Sequence, residues 1–196
     1  MAGGFIFDMG NVLSRNVEVL PAIARRLGLT VEQILGFAGE SLAGLLTGRA
    51  TAEEFWRALN RHFGTDVRED LWLTLFHPAN DRRIERLILR LKAAGYAVVC
   101  GTNTIAGHYR HHLEHGEYAV FERVYASHRI GAAKPAPEFF LHILKAEGWQ
   151  AREVFFIDDS AEHVAAAGEL GIRSHHYRRF GTLREWLAAE RVFAAS

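Results

Sequence analysis

Five short apolar runs, spaced by helix-length stretches, limit what this chain can fold into more than any other feature. Phe5-Ile6-Phe7 ends in Asp8 and a turn around Gly10. Residues 96–100 lead into Gly101-Thr102-Asn103-Thr104, residues 123–126 into Ser127, and residues 154–157 into Asp158-Asp159-Ser160. Residues 172–176 are the fifth and weakest run. β-Branched and aromatic side chains fill them, as they fill strands buried on both faces. Helical spacing lies between the runs. Ile84, Leu87, Ile88 and Leu91 share one helix face before Gly95. Phe139, Phe140, Ile143 and Leu144 follow Pro135 and Pro137 and precede Gly148, and Val164, Ala167 and Leu170 precede Gly171. This alternation predicts an α/β fold, a Rossmann-like parallel sheet of about five strands flanked by helices.

Residues 16–79 break the rhythm. They carry helical patterns and no convincing strand. Thr30 with Gln33, and Thr51 with Glu54, have capping-box spacing, the second opening a helix through Phe55, Trp56 and Leu59. The expected organisation is an α/β core of residues 1–15 and 80–196 with an all-helical insertion over 16–79. Trp56, Trp72 and Phe76 read first as the core of that insertion, and second as the lining of a pocket.

Lys plus Arg equal Asp plus Glu at 23 each, which argues against nucleic acid as the main partner. No apolar run approaches the roughly 18 residues of a membrane span, and no basic, apolar leader opens the chain. Cys100 is the lone cysteine, so no internal disulfide forms, and it reads as a buried strand residue. A cytoplasmic protein, monomer or homodimer, is the expectation.

The polar residues just beyond the runs carry the chemistry. In a parallel sheet the C-terminal strand ends converge on one crevice. That gathers Asp8, Thr102, Asn103, Asp158 and Asp159, with Lys134 from the loop after the third run. Clustered carboxylates repel unless a cation joins them, and Mg2+ answers with its preference for oxygen ligands. Lys134 and the Thr102 hydroxyl suit phosphate oxygens. Asp8 is then free to attack phosphorus and form an aspartyl-phosphate.

These motifs, in this order, resemble the haloacid dehalogenase-like hydrolase superfamily over essentially the whole chain. Phe7-Asp8-Met9-Gly10-Asn11, Thr102-Asn103, Lys134-Pro135 and Asp158-Asp159 match its four motifs. The resemblance implies Asp8 as nucleophile and Lys134 as its catalytic partner. It implies Mg2+ held by Asp8, the Gly10 carbonyl, Asp159 and Asp158, the last directly or through water. It implies phosphoryl binding by Thr102, the Asn103 backbone N–H and Lys134, and a cap over residues 16–79. A finer resemblance is to a glucose-1-phosphate phosphatase-like subgroup that reads Asp-x-Gly-Asn in motif one. There the second motif ends in His, kept as His108, while Thr102, Ile105 and His163 depart from its pattern.

Most phosphatases of this superfamily carry Asp two residues after the nucleophile, as general acid and base. Gly10 stands there instead. General acid–base catalysis contributes about 10²–10⁴-fold. The loss matters least for a good leaving group such as a sugar hemiacetal, and His108 is the first candidate substitute. The expected substrate is a small phosphorylated metabolite, with a sugar phosphate in view. Two other readings accompany this one: a 2-haloacid dehalogenase, against which Asp158-Asp159 argues, and a phosphometabolite-binding protein weakened in catalysis by Gly10. His111, His112 and His115 read as a polar helix face.

Overall fold

The structure is a computed structural model that describes residues 3–193. The chain opens with β1 (Gly4–Phe7) and turns into the two-residue β2 (Ser14–Arg15). Helices α1 (Leu20–Leu27), α2 (Val31–Leu46), α3 (Ala52–Phe63) and α4 (Leu71–Thr74) follow. The chain returns through β3 (Ala79–Asn80) to α5 (Arg82–Ala93), β4 (Ala97–Thr102), α6 (Ala106–Glu114) and β5 (Val124–Ala126). Then come α7 (Ser127–Ile130), α8 (Pro137–Glu147), β6 (Phe155–Asp158), α9 (Ala161–Glu169), β7 (Arg173–His176) and α10 (Phe180–Ala189).

Five strands form one parallel sheet in the order β5-β4-β1-β6-β7, with β1 at its centre. Alternation along each strand feeds two cores. Phe5, Phe7, Val98, Cys100 and Ile157 pack against Ile84, Leu87 and Ile88 of α5 and Leu183 and Leu187 of α10. Ile6, Val99 and Phe156 pack against Phe139, Phe140 and Ile143 of α8 and Ala167 of α9 on the opposite face. Cys100 is buried on the α5 and α10 face, as expected.

Helices α1–α4 build most of a third core, which Ile105, just before α6, also enters. Ile23, Ile34, Phe55, Trp56, Leu59, Leu71, Trp72 and Phe76 meet in it. Both expected capping boxes form, each with its reciprocal pair of hydrogen bonds. Trp56, Trp72 and Phe76 are 5%, 6% and 2% exposed, so they belong to this core rather than to an open pocket.

A short antiparallel ribbon joins the helical segment to the sheet domain: Ser14 pairs with Asn80 and Arg15 with Ala79. No sequence pattern announces it, because two residues are too few for any period to show. Asp81 fastens its end. The Asp81 carboxylate accepts from Arg15 at 2.9 Å and twice from the Arg83 guanidinium, and caps α5 through the Arg83 N–H.

Candidate active site

The three central strands β4, β1 and β6 end side by side, which brings Asp8 next to Asp158. The Asp8 N–H donates to the Ile157 carbonyl at 2.9 Å, extending the β1–β6 pairing by one residue. Asp158 is fully buried at the end of β6, and Asp8 is 7% exposed. Lys134 reaches in from the loop before α8. Its Nζ donates to Asp8 Oδ1 at 2.8 Å, to Asp158 Oδ2 at 2.6 Å and to the Gly101 carbonyl at 2.9 Å. All three ammonium protons are thereby used. Residue 101 is tightly packed on its other side: a Cβ there would strike Ile6 Cγ2 at 2.6 Å.

Asn103 sets the Lys134 backbone. Its Nδ2 donates to the Lys134 carbonyl and its Oδ1 accepts the Lys134 N–H, both at 2.8 Å. The second oxygen of Asp158 accepts from the Ser160 N–H at 2.8 Å and from His163 Nδ1 at 3.0 Å. Asp159 is half-buried, and its Oδ2 accepts from Asn11 Nδ2 at 3.0 Å. Asn11 sits at φ 54°, a left-handed conformation that asparagine tolerates. Its Nδ2 also donates to Glu18 Oε1 at 3.2 Å.

Charge follows from this geometry. Burial raises the Asp8 pKa; Lys134 opposes the rise and the charge of Asp158 adds to it, leaving the carboxyl at about 7. Asp158 is also penalised by burial, but Lys134 and the His163 hydrogen bond outweigh that and hold it down at about 2. Burial works against the Lys134 ammonium too, and the two carboxylates overcome it and raise its pKa. Carboxylate oxygens of Asp8, Asp158 and Asp159 lie within 4.8 Å of one another. An all-oxygen set with surplus negative charge fits a hard divalent cation. Asp8 and Asp159 face it most freely, since both oxygens of Asp158 are already engaged.

The structure therefore brings together Asp8, Lys134, Asp158 and Asp159, with Thr102 buried at the end of β4 and Gly10 in the loop after Asp8. The expectations for Lys134, His108 and His112 change. Lys134 has no spare donor for a phosphate while its three bonds stand. The Asn103 side chain serves Lys134, leaving only its backbone N–H for a substrate. His108 is engaged with the helical segment: its Nε2 donates to the Trp72 carbonyl at 2.8 Å and its ring stacks on Phe76 at 3.7 Å. Burial there lowers its pKa to about 4, so it stays neutral and cannot serve as a ready acid. It latches α4 onto α6 instead. His112, expected on a polar face, is 3% exposed and bonded to Glu117. Two contacts escaped the sequence reading, the Asn11 amide on Asp159 and Glu18 as its second partner. Asn11 reads only as a turn residue, and Glu18 has no motif around it.

A parallel sheet with an acid at the end of its central strand, a buried lysine and a pair of acids on the next strand define a hydrolase of the haloacid dehalogenase type. The chain belongs to that family: haloacid dehalogenase-like hydrolase matches residues 3–171. It is 37% identical over 97 residues to the sesquiterpene phosphatase astK of Aspergillus oryzae, covering 49% of this chain and 50% of that protein. It is 23% identical over 136 residues to the D-ribitol-5-phosphate phosphatase of Bacteroides thetaiotaomicron, covering 65% and 66% of the two. The match thus spans about half of one of these relatives and just under two thirds of the other. Among solved structures, a HAD family enzyme of Bacteroides thetaiotaomicron in its magnesium complex superposes with a TM-score of 0.76 at 25% identity. That match covers 93% of this chain and 98% of the other. No helix among the described residues is long and apolar enough to cross a membrane.

Proposed function

We propose that this chain is a Mg2+-dependent phosphatase that hydrolyses a small phosphorylated metabolite through an aspartyl-phosphate on Asp8. The observation that carries it is the Asp8 carboxylate itself. One oxygen is tied to Lys134, and ligand oxygens of Asp8, Asp158 and Asp159 converge within 4.8 Å. Asp8, Asp159 and the Gly10 carbonyl would hold the ion, with Asp158 anchoring Lys134 and reaching the metal through water. Bound Mg2+ would neutralise the carboxylates and the phosphoryl oxygens. The phosphatase names of two relatives and the magnesium found with a structural neighbour support the reading.

In this mechanism Lys134 orients Asp8 and favours its carboxylate form against the burial that raises its pKa. Thr102 and the Asn103 N–H receive the phosphoryl group. The helical segment acts as a cap over the crevice, excluding water and selecting the substrate. A sugar phosphate suits the site best, because its leaving oxygen is more acidic than a simple alcohol and asks less of the missing acid at Gly10. The adjacent acids Asp158 and Asp159 disfavour metal-free dehalogenation. The test is hydrolysis of p-nitrophenyl phosphate with and without Mg2+. Wild type should turn over only with metal and Asp8→Asn should be inert; equal turnover by that variant overturns the reading.

A further inference from the structure

We propose that Glu18 performs the proton transfers that Gly10 cannot, as a catalytic acid and base supplied from the start of the helical segment. The inference rests on the phosphatase reading. Nothing in the backbone demands glycine at residue 10. A Cβ there would stand 3.4 Å from Val17 Cγ2 and 3.9 Å from Asp8 Oδ2, so the missing side chain leaves space between the nucleophile and the 17–18 segment. Glu18 follows Val17 directly. It is exposed, and a single amide nitrogen, Asn11 Nδ2, bonds both Glu18 Oε1 at 3.2 Å and Asp159 Oδ2 at 3.0 Å. The neighbouring groups are committed: Asp158 to Lys134, Ser160 and His163, and His108 to Trp72.

The chemistry balances in two steps. As Asp8 bonds to phosphorus, the bond to the leaving oxygen breaks, that oxygen keeps the electron pair, and Glu18 gives it a proton to form the alcohol. Glu18, now a carboxylate, takes a proton from water as the water oxygen attacks phosphorus. The Asp8–phosphorus bond breaks, and carboxylate, phosphate and protonated Glu18 are restored.

The experiment compares wild type, Glu18→Gln and Glu18→Gln/Gly10→Asp on a primary alkyl phosphate and on p-nitrophenyl phosphate, with Mg2+. Glu18→Gln should lose about 100-fold or more in kcat on the alkyl phosphate. On p-nitrophenyl phosphate it should release a burst of p-nitrophenolate before slow turnover, because only the second step then needs the base. Gly10→Asp should restore the alkyl activity. Mg2+ affinity by calorimetry should stay within about threefold, whereas a group acting on the metal through Asp159 would weaken it by about 10–100-fold. Equal losses on both substrates without a burst, no loss on either, or a weakened Mg2+ site overturns the proposal. A wild type inert on both substrates removes the phosphatase reading instead.

Discussion

Lys134→Met tests the electrostatic centre of the site. The Lys134 side chain is fully buried and is the shared cation of two acids that are themselves almost wholly buried. Methionine keeps the length and can pack near Phe139 and Phe156, whose rings lie 5.8 and 5.5 Å from Nζ. The loss is therefore of charge and of three hydrogen bonds rather than of volume. Removing one partner from such a buried ion pair costs roughly 3–5 kcal/mol. For a chain of this size that is a fall of roughly 6–20 °C in Tm. The deficit also depends on pH. Without the ammonium, the already raised pKa of folded Asp8 climbs further, and that of Asp158 rises from below to above its unfolded value. Stability is then retained below the unfolded carboxylate pKa and lost as pH rises through the raised values. Urea unfolding in EDTA, followed by tryptophan fluorescence, should show a larger deficit at pH 8 than at pH 5. The double variant Lys134→Met/Asp158→Asn should recover part of it. A deficit below about 1 kcal/mol, or one equal at both pH values, would refute the claim that this cation holds the acids in place.

Asn103→Ala removes both bonds that clamp the Lys134 backbone; kcat on p-nitrophenyl phosphate should fall with stability, by about 1–3 kcal/mol in urea unfolding. Acidification should destabilise the fold through His108. Its folded pKa of about 4 lies below the unfolded 6.5, so its contribution is full above pH 6.5 and is lost as pH falls toward 4. The size is up to about 3 kcal/mol, and His108→Asn should show a flatter urea-unfolding profile over that window. Phe55→Ala opens the core of α1–α4, where Phe55 is 1% exposed and lies 5.0 Å from Trp56. It should cost about 3–5 kcal/mol, with amide exchange quickening across those helices before the parallel sheet.

The centre of the sheet was legible because β1, β4 and β6 are buried on both faces, which forces continuous apolar runs ending in polar residues, whereas edge strand β7, Arg173–His176, has no buried residue and gave the weakest run. Asp8, Lys134, Asp158 and Asp159 were legible for the same reason, each standing at a strand end or in a loop beside one. What did not show was anything set by a contact distant in sequence. The 2.8 Å bond between His108 and Trp72 crosses from α6 to α4, and no local pattern distinguishes it from a substrate contact. Lys134 was identified, but the use of all three of its protons depends on the Gly101 carbonyl, which has no side chain to advertise it. Asn11 and Glu18 meet through a turn whose geometry follows from the left-handed backbone of Asn11, and the letters alone do not fix that.

The ribbon of β2 and β3 has a practical meaning for rebuilding this protein. Asn11 N–H reaches the Ser14 carbonyl at 2.7 Å and Asp81 N–H reaches the Leu13 carbonyl at 2.7 Å, so the loop behind Asp8 is woven into the same few residues. A graft that exchanges the helices should therefore splice after Arg15 and before Ala79, carrying Asp81, Arg15 and Arg83 intact. Chimeras cut inside residues 8–14 would inherit a foreign cover together with a displaced nucleophile. Those cut at the ribbon would keep the strand-end residues in place while exchanging the helices, provided the incoming segment retains Val17 and Glu18.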